Sequence, residues 1–367
     1  MREAMTELSQ TTPDLRTGQY DTFPDLTGAR QAEGGRRLHG DLRSSRDGAP
    51  LVSVVTVCFN AASTLERCLR SVAIQSYDNV EHVVVDGASS DDTVEILEGH
   101  AHLLDYYVSE PDAGLYFAMN KGLSLARGDY ILLLNADDTY MPNCVADLVA
   151  AKHYSGCDFV SALALYQNDG GGDERVLPHM PFDHSCQFRM PLRHETMMIP
   201  AKVYDEVGLY DTRFRVLSDR DLTERLFLAG KTHYEVPRPL MQCSTEGLSN
   251  KAEDLREEER RALLRNRYPF LSETEISAIT DRASAMPDDY LRLAQGAPGD
   301  SDFAQAVVYA VDMGVDYISE ALGTVTQGRA GQAAVDYAYD RQIPIIASAA
   351  DEQSRHHNFP AAYDHTL

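Results

Sequence analysis

Between residues 51 and 138 the chain repeats one pattern: a short apolar, β-branched run that ends in a polar residue, then a stretch of helical spacing. LVSVVTVCF begins at Leu51 and gives way to Asn60, HVVVD ends at Asp86, and DYILLLNADD ends in Asn135, Asp137 and Asp138. Runs that stay apolar without alternation fit strands buried on both faces. Between them, Leu65, Cys68, Leu69 and Val72 recur at helical spacing behind a capping box of Ser63 and Glu66. The string SSDDT offers caps for a helix through Ile96 and Leu97, YYVS reads as a further strand, and residues 115–126 read as a helix stopped by Gly128. Such alternation predicts an α/β fold: an open, mainly parallel sheet covered by helices on both faces. Ligands in such sheets bind outside the carboxyl ends of the strands, where Asn60, Asp86 and residues 135–138 all fall.

The rest of the chain is less regular. Residues 158–167 suggest a strand, 168–173 a Gly-rich loop, 194–211 a short strand and a helix, and 219–229 a helix with Leu222, Leu226 and Ala229 on one face. Residues 251–296 are charged and helical in character. Residues 1–50, rich in Gly, Arg, Asp and Thr, lack a steady period and are expected to be disordered or loosely docked, with AEGGRR from Ala32 as a linker. The expected organisation is 1–50 as that segment, 51–250 as the main α/β domain, 251–299 as a helical tail and 300–367 as a small α/β piece.

The formal net charge of −24 argues against a nucleic-acid groove, which needs clustered Lys and Arg, and against an acidic membrane surface bound through overall charge. An anionic ligand stays open, because a metal ion or a helix N-terminus can hold a phosphate in an acidic protein. None of Cys58, Cys68, Cys144, Cys157, Cys186 and Cys243 forms a CxxC pair, so they read as scattered thiols of a reducing compartment. The start MREAMTELSQ is polar, and no run approaches the roughly 20 apolar residues of a membrane span. The expectation is a cytoplasmic location, with peripheral contact at the inner membrane face left open.

Acids at a strand end offer hard oxygen ligands suited to Mg²⁺ or Mn²⁺. Asp137 is the better metal candidate with Asp138 in support; the alternative is a turn with helix-capping acids. Asp86 and Asn60 are placed to meet a base or ribose, or simply to end strands in turns. Transfer to a hydroxyl needs a general base, and Asp219 and Asp221 in VLSDRDL open a helix whose N-terminus keeps a carboxylate ionised. The alternative there is an N-cap formed by Ser218 or Asp219. His194 with Glu195 reads either as a phosphate-contacting or supporting pair, or as a structural histidine.

Five strings in order carry a wider likeness: VSVVTVCFNAASTLERCLRSVAIQSY, VEHVVVDGASSDDT, SEPDAGLYFAMNKGLSLARGDYILLLNADD, HETMMIPAKVYDEVGLYD and FRVLSDRDLTERL. With them, the region from Val52 to about Asn250 resembles the family 2 glycosyltransferases, which have the GT-A fold. The resemblance implies inverting, single-displacement transfer of a sugar from a nucleotide-sugar donor, a UDP- or GDP-sugar, to a hydroxyl of a glycan or lipid-linked glycan in polysaccharide or glycoconjugate biosynthesis. It implies that Asn60 and Asp86 hold the nucleotide, Asp137 the metal on the diphosphate, and Asp219 the acceptor proton. Lys121, in MNKG, is a candidate for the donor phosphate or else a solvated helix lysine. Asn135 stands where many members have the first Asp of an Asp-x-Asp motif, and Ser218 where many have Glu, which leaves the base to Asp219 or Asp221. Two other classes compete. A nucleotidyltransferase usually needs a Gly-rich loop after the first strand, which FNAAS lacks, and a non-catalytic scaffold would release no nucleotide from a sugar donor.

The last stretch differs. AVVYAVDMGVDYISEALGT, AVDYAYDRQIPIIASAADE and HNFPAAYDH resemble a fragment of a subtilisin-like serine protease. No Asp-Ser-Gly or His-Gly-Thr-His string is present, and Asp351 stands where that family's oxyanion Asn would be, which implies a non-catalytic piece.

Overall fold

The computed structural model describes residues 15–25, 28–167, 175–177, 182, 190–244, 253–270, 272–284, 318–320 and 345–347. The chain forms two compact units, Met1–Asp281 and Arg282–Leu367. The first begins with β1 (Ala32–Gly34), β2 (Val52–Cys58), α1 (Leu65–Ala73), β3 (Val80–Asp86), α2 (Thr93–Gly99), β4 (Tyr106–Ser109), α3 (Leu115–Leu125) and β5 (Tyr130–Asn135). It continues with β6 (Thr139–Tyr140), α4 (Cys144–Ser155), β7 (Phe159–Gln167), β8 (Arg175–Leu177), β9 (Ile199–Pro200), α5 (Ala201–Val207), α6 (Ser218–Leu228) and β10 (His233–Ser244). Two helices follow, α7 (Glu253–Arg267) and α8 (Glu273–Ser284), within the stretch expected to be helical.

Six strands form the main sheet in the order β1-β4-β3-β2-β5-β9. The inner four run parallel, and β1 and β9 lie antiparallel at the two edges. A second sheet, β6-β10-β7-β8, pairs β10 with β7 in parallel and the outer strands antiparallel. The alternation read from the sequence therefore yields the mainly parallel sheet it predicts.

Continuous burial hides a two-residue period. On β2, Val55 and Val57 join a core with Met119 and Leu123 of α3 and Leu222 and Leu226 of α6. Val52 and Val54 face the other side with Cys68 and Val72 of α1 and Leu148 of α4. On β5, Ile131 and Leu133 divide from Leu132 and Leu134 in the same way. Both faces are apolar because both are covered, and each such buried side chain contributes about 1.5–3 kcal/mol. This clamps the strands and fixes where their carboxyl ends emerge.

Three local expectations are corrected. The Ser63–Glu66 capping box does not form: α1 starts at Leu65, and Glu66 accepts from Arg70 Nε at 2.9 Å instead. Gly128 is not the stop of α3, which ends at Leu125; a Cβ on Gly128 would lie 2.6 Å from Ser53 N and 2.8 Å from Leu51 O, so this glycine lets the chain cross tightly against β2. AEGGRR is not a linker. Its first three residues are β1, a Cβ on Gly34 would meet the Tyr107 ring at 2.4 Å, and Gly35 has a φ of 104°.

The N-terminal segment is docked wherever it is described. Arg37, only 5% exposed, donates from Nη2 to buried Glu81 at 2.8 Å and from Nη1 to Leu125 O at 2.8 Å. A carboxylate buried in a strand needs a counter-charge, and this segment supplies it. Residues 1–14, the Gly-rich loop at 168–173 and Cys186 lie outside the described residues. The other five cysteines are free thiols. In the second unit, β11 (Ile318–Glu320) pairs in parallel with β12 (Ile345–Ala347); the remaining elements expected there lie outside the described residues. Among the described residues no helix is long and apolar enough to cross a membrane.

Candidate active site

The carboxyl ends of β3, β2 and β5 lie side by side: Cys58 is in register with Asp86, and Val57 with Asn135. The loops that leave β2 and β3 are stitched together. Asn60, at a positive φ of 51°, donates its N–H to Ser89 Oγ at 2.7 Å and accepts from Ser90 N at 2.8 Å. Ala61 N donates to Thr93 Oγ1 at 2.8 Å, and Ala62 N to Asp91 Oδ2 at 3.1 Å. Desolvation pushes the Asp91 carboxyl upward, but hydrogen bonds from Thr93 and Ala62 outweigh it and hold the group below the usual carboxylate range.

Asp86 lies beneath these loops and is fully buried. Its Oδ2 accepts from Ser109 Oγ at 2.6 Å and Ser89 N at 2.9 Å, and its Oδ1 accepts from Ser89 Oγ and from Cys58 Sγ at 3.5 Å. The sequence suggested a carboxylate facing a base or ribose. The structure gives Asp86 internal partners on both oxygens, so it organises the floor on which a ligand would rest. Phe59, by contrast, is 65% exposed at the same strand end, and a Cβ on Gly87 would lie 3.4 Å from its ring and 3.0 Å from Asp112 Oδ2. Sequence reasoning passed over Phe59. The available signal was a bulky aromatic directly beyond a strand whose other residues are all buried.

On the other side of β2 the acids face one another. Asp138 is 4% exposed and accepts from Ser244 N at 2.9 Å. Its carboxyl is pushed well above the usual range, first by desolvation and then by the charges of Glu195 and Asp137. Asn135 Nδ2 donates to Glu195 Oε1 at 3.1 Å. Glu195 Oε2, which accepts no hydrogen bond among the described residues, lies 3.4 Å from His194 Nδ1. The same nitrogen is 3.6 Å from Asp219 Oδ2. Asp219, the second residue of α6, accepts on Oδ1 from Arg220 N at 2.8 Å and from Tyr116 Oη at 3.2 Å. Tyr116 stacks on Tyr210 with ring centroids 5.5 Å apart. Asn135, Glu195, His194 and Asp219 thus make one chain of contacts from the end of β5 to the start of α6. Asp137 is half-buried beside it, with its carbonyl accepting from Arg67 Nη2 at 3.1 Å.

Two sequence candidates are engaged in ion pairs within the fold. Asp221 is 5% exposed, and its oxygens accept from Arg225 Nε at 2.8 Å and Arg267 Nη2 at 2.7 Å. It fastens α6 to α7. Lys121 is neither solvated nor turned to a ligand: it is 7% exposed, donates to Glu110 Oε1 at 2.7 Å and lies 5.0 Å over the Phe23 ring. Arg193 is a cation that the sequence reading did not single out. It lies 4.8 Å over the Tyr166 ring, next in the chain to His194.

No group of three or more His, Cys, Asp or Glu set to hold a metal ion is formed among the described residues. The donor chemistry still suits a hard cation. The charges of Glu195 and Asp137 add to the cost of ionising Asp138, and Glu195 Oε2 is buried without a hydrogen-bond donor among the described residues. Magnesium-type sites are commonly completed by substrate phosphates rather than by a closed protein cage.

Comparison with known proteins decides the family. The model of glycosyl transferase family 2 matches residues 53–219. An uncharacterized glycosyltransferase of Mycobacterium tuberculosis is 34% identical over 233 residues, covering 60% of this chain and 87% of that protein. The chain belongs to glycosyl transferase family 2. A PGL/p-HBAD biosynthesis glycosyltransferase of Mycobacterium bovis is 30% identical over 190 residues, 49% of this chain and 70% of that protein. The crystal structure of S. aureus TarS 1-349 in complex with UDP-GlcNAc matches in fold with a TM-score of 0.50 at 17% identity, over 70% of this chain and 78% of that one. The mixed sheet flanked by helices is thus a GT-A arrangement, and this family 2 chain is a nucleotide-sugar glycosyltransferase.

Proposed function

We propose that this glycosyltransferase inverts the sugar centre in a single displacement, with Asp219 as general base and a divalent cation, Mn²⁺ or Mg²⁺, on the donor diphosphate. The observation that carries the reading is the chain of contacts from Asn135 through Glu195 and His194 to Asp219. It spans from the acids suited to the cation to a carboxylate at a helix start that could receive a proton. Asp219 takes the acceptor proton, and Arg220 N and Tyr116 Oη, which both donate to its Oδ1, orient its carboxylate. Asp137 would hold the cation, with Asp138 and Glu195 in support, and the cation would neutralise the leaving diphosphate. Phe59 stacks on the nucleobase, above loops that Asp86 and Asn60 keep in place.

The donor is a UDP- or GDP-sugar, and the acceptor is a hydroxyl of a glycan or lipid-linked glycan reached from the cytoplasmic side. The mycobacterial relative named for PGL/p-HBAD biosynthesis supports a role in glycoconjugate assembly. Residues 51–250 are read as the catalytic domain. Residues 300–367 are read as a non-catalytic subtilisin-like fragment, an assignment with which the parallel pair β11–β12 agrees. The test is release of nucleoside diphosphate from a panel of UDP- and GDP-sugars, with Mn²⁺, with Mg²⁺ and with EDTA. The expected result is slow hydrolysis with water as acceptor, dependent on metal and abolished in Asp137→Ala while the fold is kept. Equal release in EDTA would remove the metal from the mechanism, and full activity in Asp137→Ala would remove Asp137 from the metal.

A further inference from the structure

The base candidate stands at a helix start that its own sequence does not cap. The N-cap of α6 is Leu217, which offers no side-chain acceptor, and a helix start leaves backbone N–H groups without intrahelical partners. The N–H of Leu217 and those of the two residues before it find their acceptor 42 residues beyond Leu217 along the chain. Glu259 of α7, 6% exposed, accepts on Oε1 from Arg215 N at 2.6 Å and on Oε2 from Val216 N at 2.9 Å and Leu217 N at 3.0 Å. Three consecutive amides converging on one carboxylate form an anion nest, which fixes the dihedral angles of the loop that closes around it. Asp219 is the second residue after that loop.

We infer that Glu259 is a positioning residue that acts through Asp219: its carboxylate sets the direction in which α6 begins and hence where the base points. The inference rests on the reading of Asp219 as base. It extends the working machinery beyond residues 53–219, which the family model matches. The body of α6 is held separately, by Arg267 on Asp221 at 2.7 Å and by Tyr268 Oη on Glu224 at 2.7 Å. Loss of the nest therefore frees the first turn and leaves the helix docked. A small displacement suffices, since misplacing a catalytic group by about 1 Å costs on the order of 10²-fold in rate.

Glu259→Gln keeps the shape but turns one acceptor into a donor facing an N–H. The expected result is a kcat lower by about tenfold or more, with donor KM within about twofold of wild type. Tyr268→Phe, which loosens the α6–α7 contact away from the nest, is the control: a similar loss of Tm with kcat kept. The deciding measurement is a double-mutant cycle. If Glu259 acts through Asp219, adding Glu259→Gln to Asp219→Asn lowers kcat no further; if the two losses multiply, or if Glu259→Gln alone keeps wild-type kcat, the inference is overturned. Should Glu259→Gln fail to fold, Glu259→Asp, which keeps the charge on a shorter arm, enters the same cycle with a smaller expected loss and the same overturning results. Wild-type kcat in Asp219→Asn alone would sink the base reading, and the inference with it, whereas an inactive Asp219→Asn beside an unaffected Glu259→Gln would sink only the inference.

Discussion

The two sides of β2 are built on opposite principles. Where β2 and β3 end, polar groups satisfy one another: Asp86 is buried among Ser89, Ser109 and Cys58, and Asn60 is tied to Ser89 and Ser90. Where β5 ends and α6 begins, Asp138, Glu195 and Asp137 crowd together, and Glu195 Oε2 accepts no hydrogen bond among the described residues. The first side is finished by folding alone. The second holds like charge close together, a cost that a bound cation and diphosphate would offset. Acids on the finished side should therefore matter for stability, and acids on the crowded side for turnover.

That contrast can be broken by experiment. The largest effect is expected at Asp219→Asn, where kcat should fall by about 10²-fold or more with donor KM and Tm nearly unchanged. Asp221→Asn should lower Tm and leave kcat close to wild type, and the reverse outcome would exchange the roles of the two acids. Next comes Asp86→Ala, which strands the buried donors of Ser89 and Ser109 and should cost about 2–3 kcal/mol in chemical denaturation. A large loss of kcat with full stability would place Asp86 on the reactive side instead. Phe59→Ala should raise donor KM about tenfold with kcat kept, the usual scale for a lost aromatic–base stack. An unchanged KM would remove Phe59 from the nucleotide. The smallest effect has the opposite sign: Asp138→Asn removes one of the crowded charges and should raise Tm by about 2–4 °C at neutral pH while impairing metal-dependent transfer. A lowered Tm would mean that this side, too, is complete without a ligand.

Much of this arrangement was legible in the sequence, because strand ends are local features. The runs ending at Asn60, Asp86 and Asn135 marked three neighbouring strand ends, and the short string SDRD marked the start of α6. The sequence left the choice between Asp219 and Asp221 open, and the fold gives the two acids different surroundings. Residues two apart on a helix point about 200° from each other, so Asp219 turns to Tyr116 and His194 and Asp221 to the neighbouring helix. The fate of Lys121 was not legible, since its partner Glu110 reaches it only through the packing of α3 on the sheet. Nor was the docking of the N-terminal segment, where Arg37 meets Glu81 across 44 residues. Contacts of that span leave no period in a sequence. Glu259 was hidden for the same reason, inside a charged stretch that resembles any exposed helix.

The short strand β1 has a practical consequence. It occupies the outer side of β4, pairing Ala32 with Ser109 and Gly34 with Tyr107. A truncated protein begun at residue 51, where hydropathy first hints at a domain, would present that row of amides and carbonyls bare to its neighbours in solution, and would carry Glu81 without Arg37. Exposed rims of this kind recruit other molecules of the same chain. Anyone trimming the protein for crystals or assays should expect the shorter version to clump, and should move the starting point upstream of Arg30, which also holds Glu110.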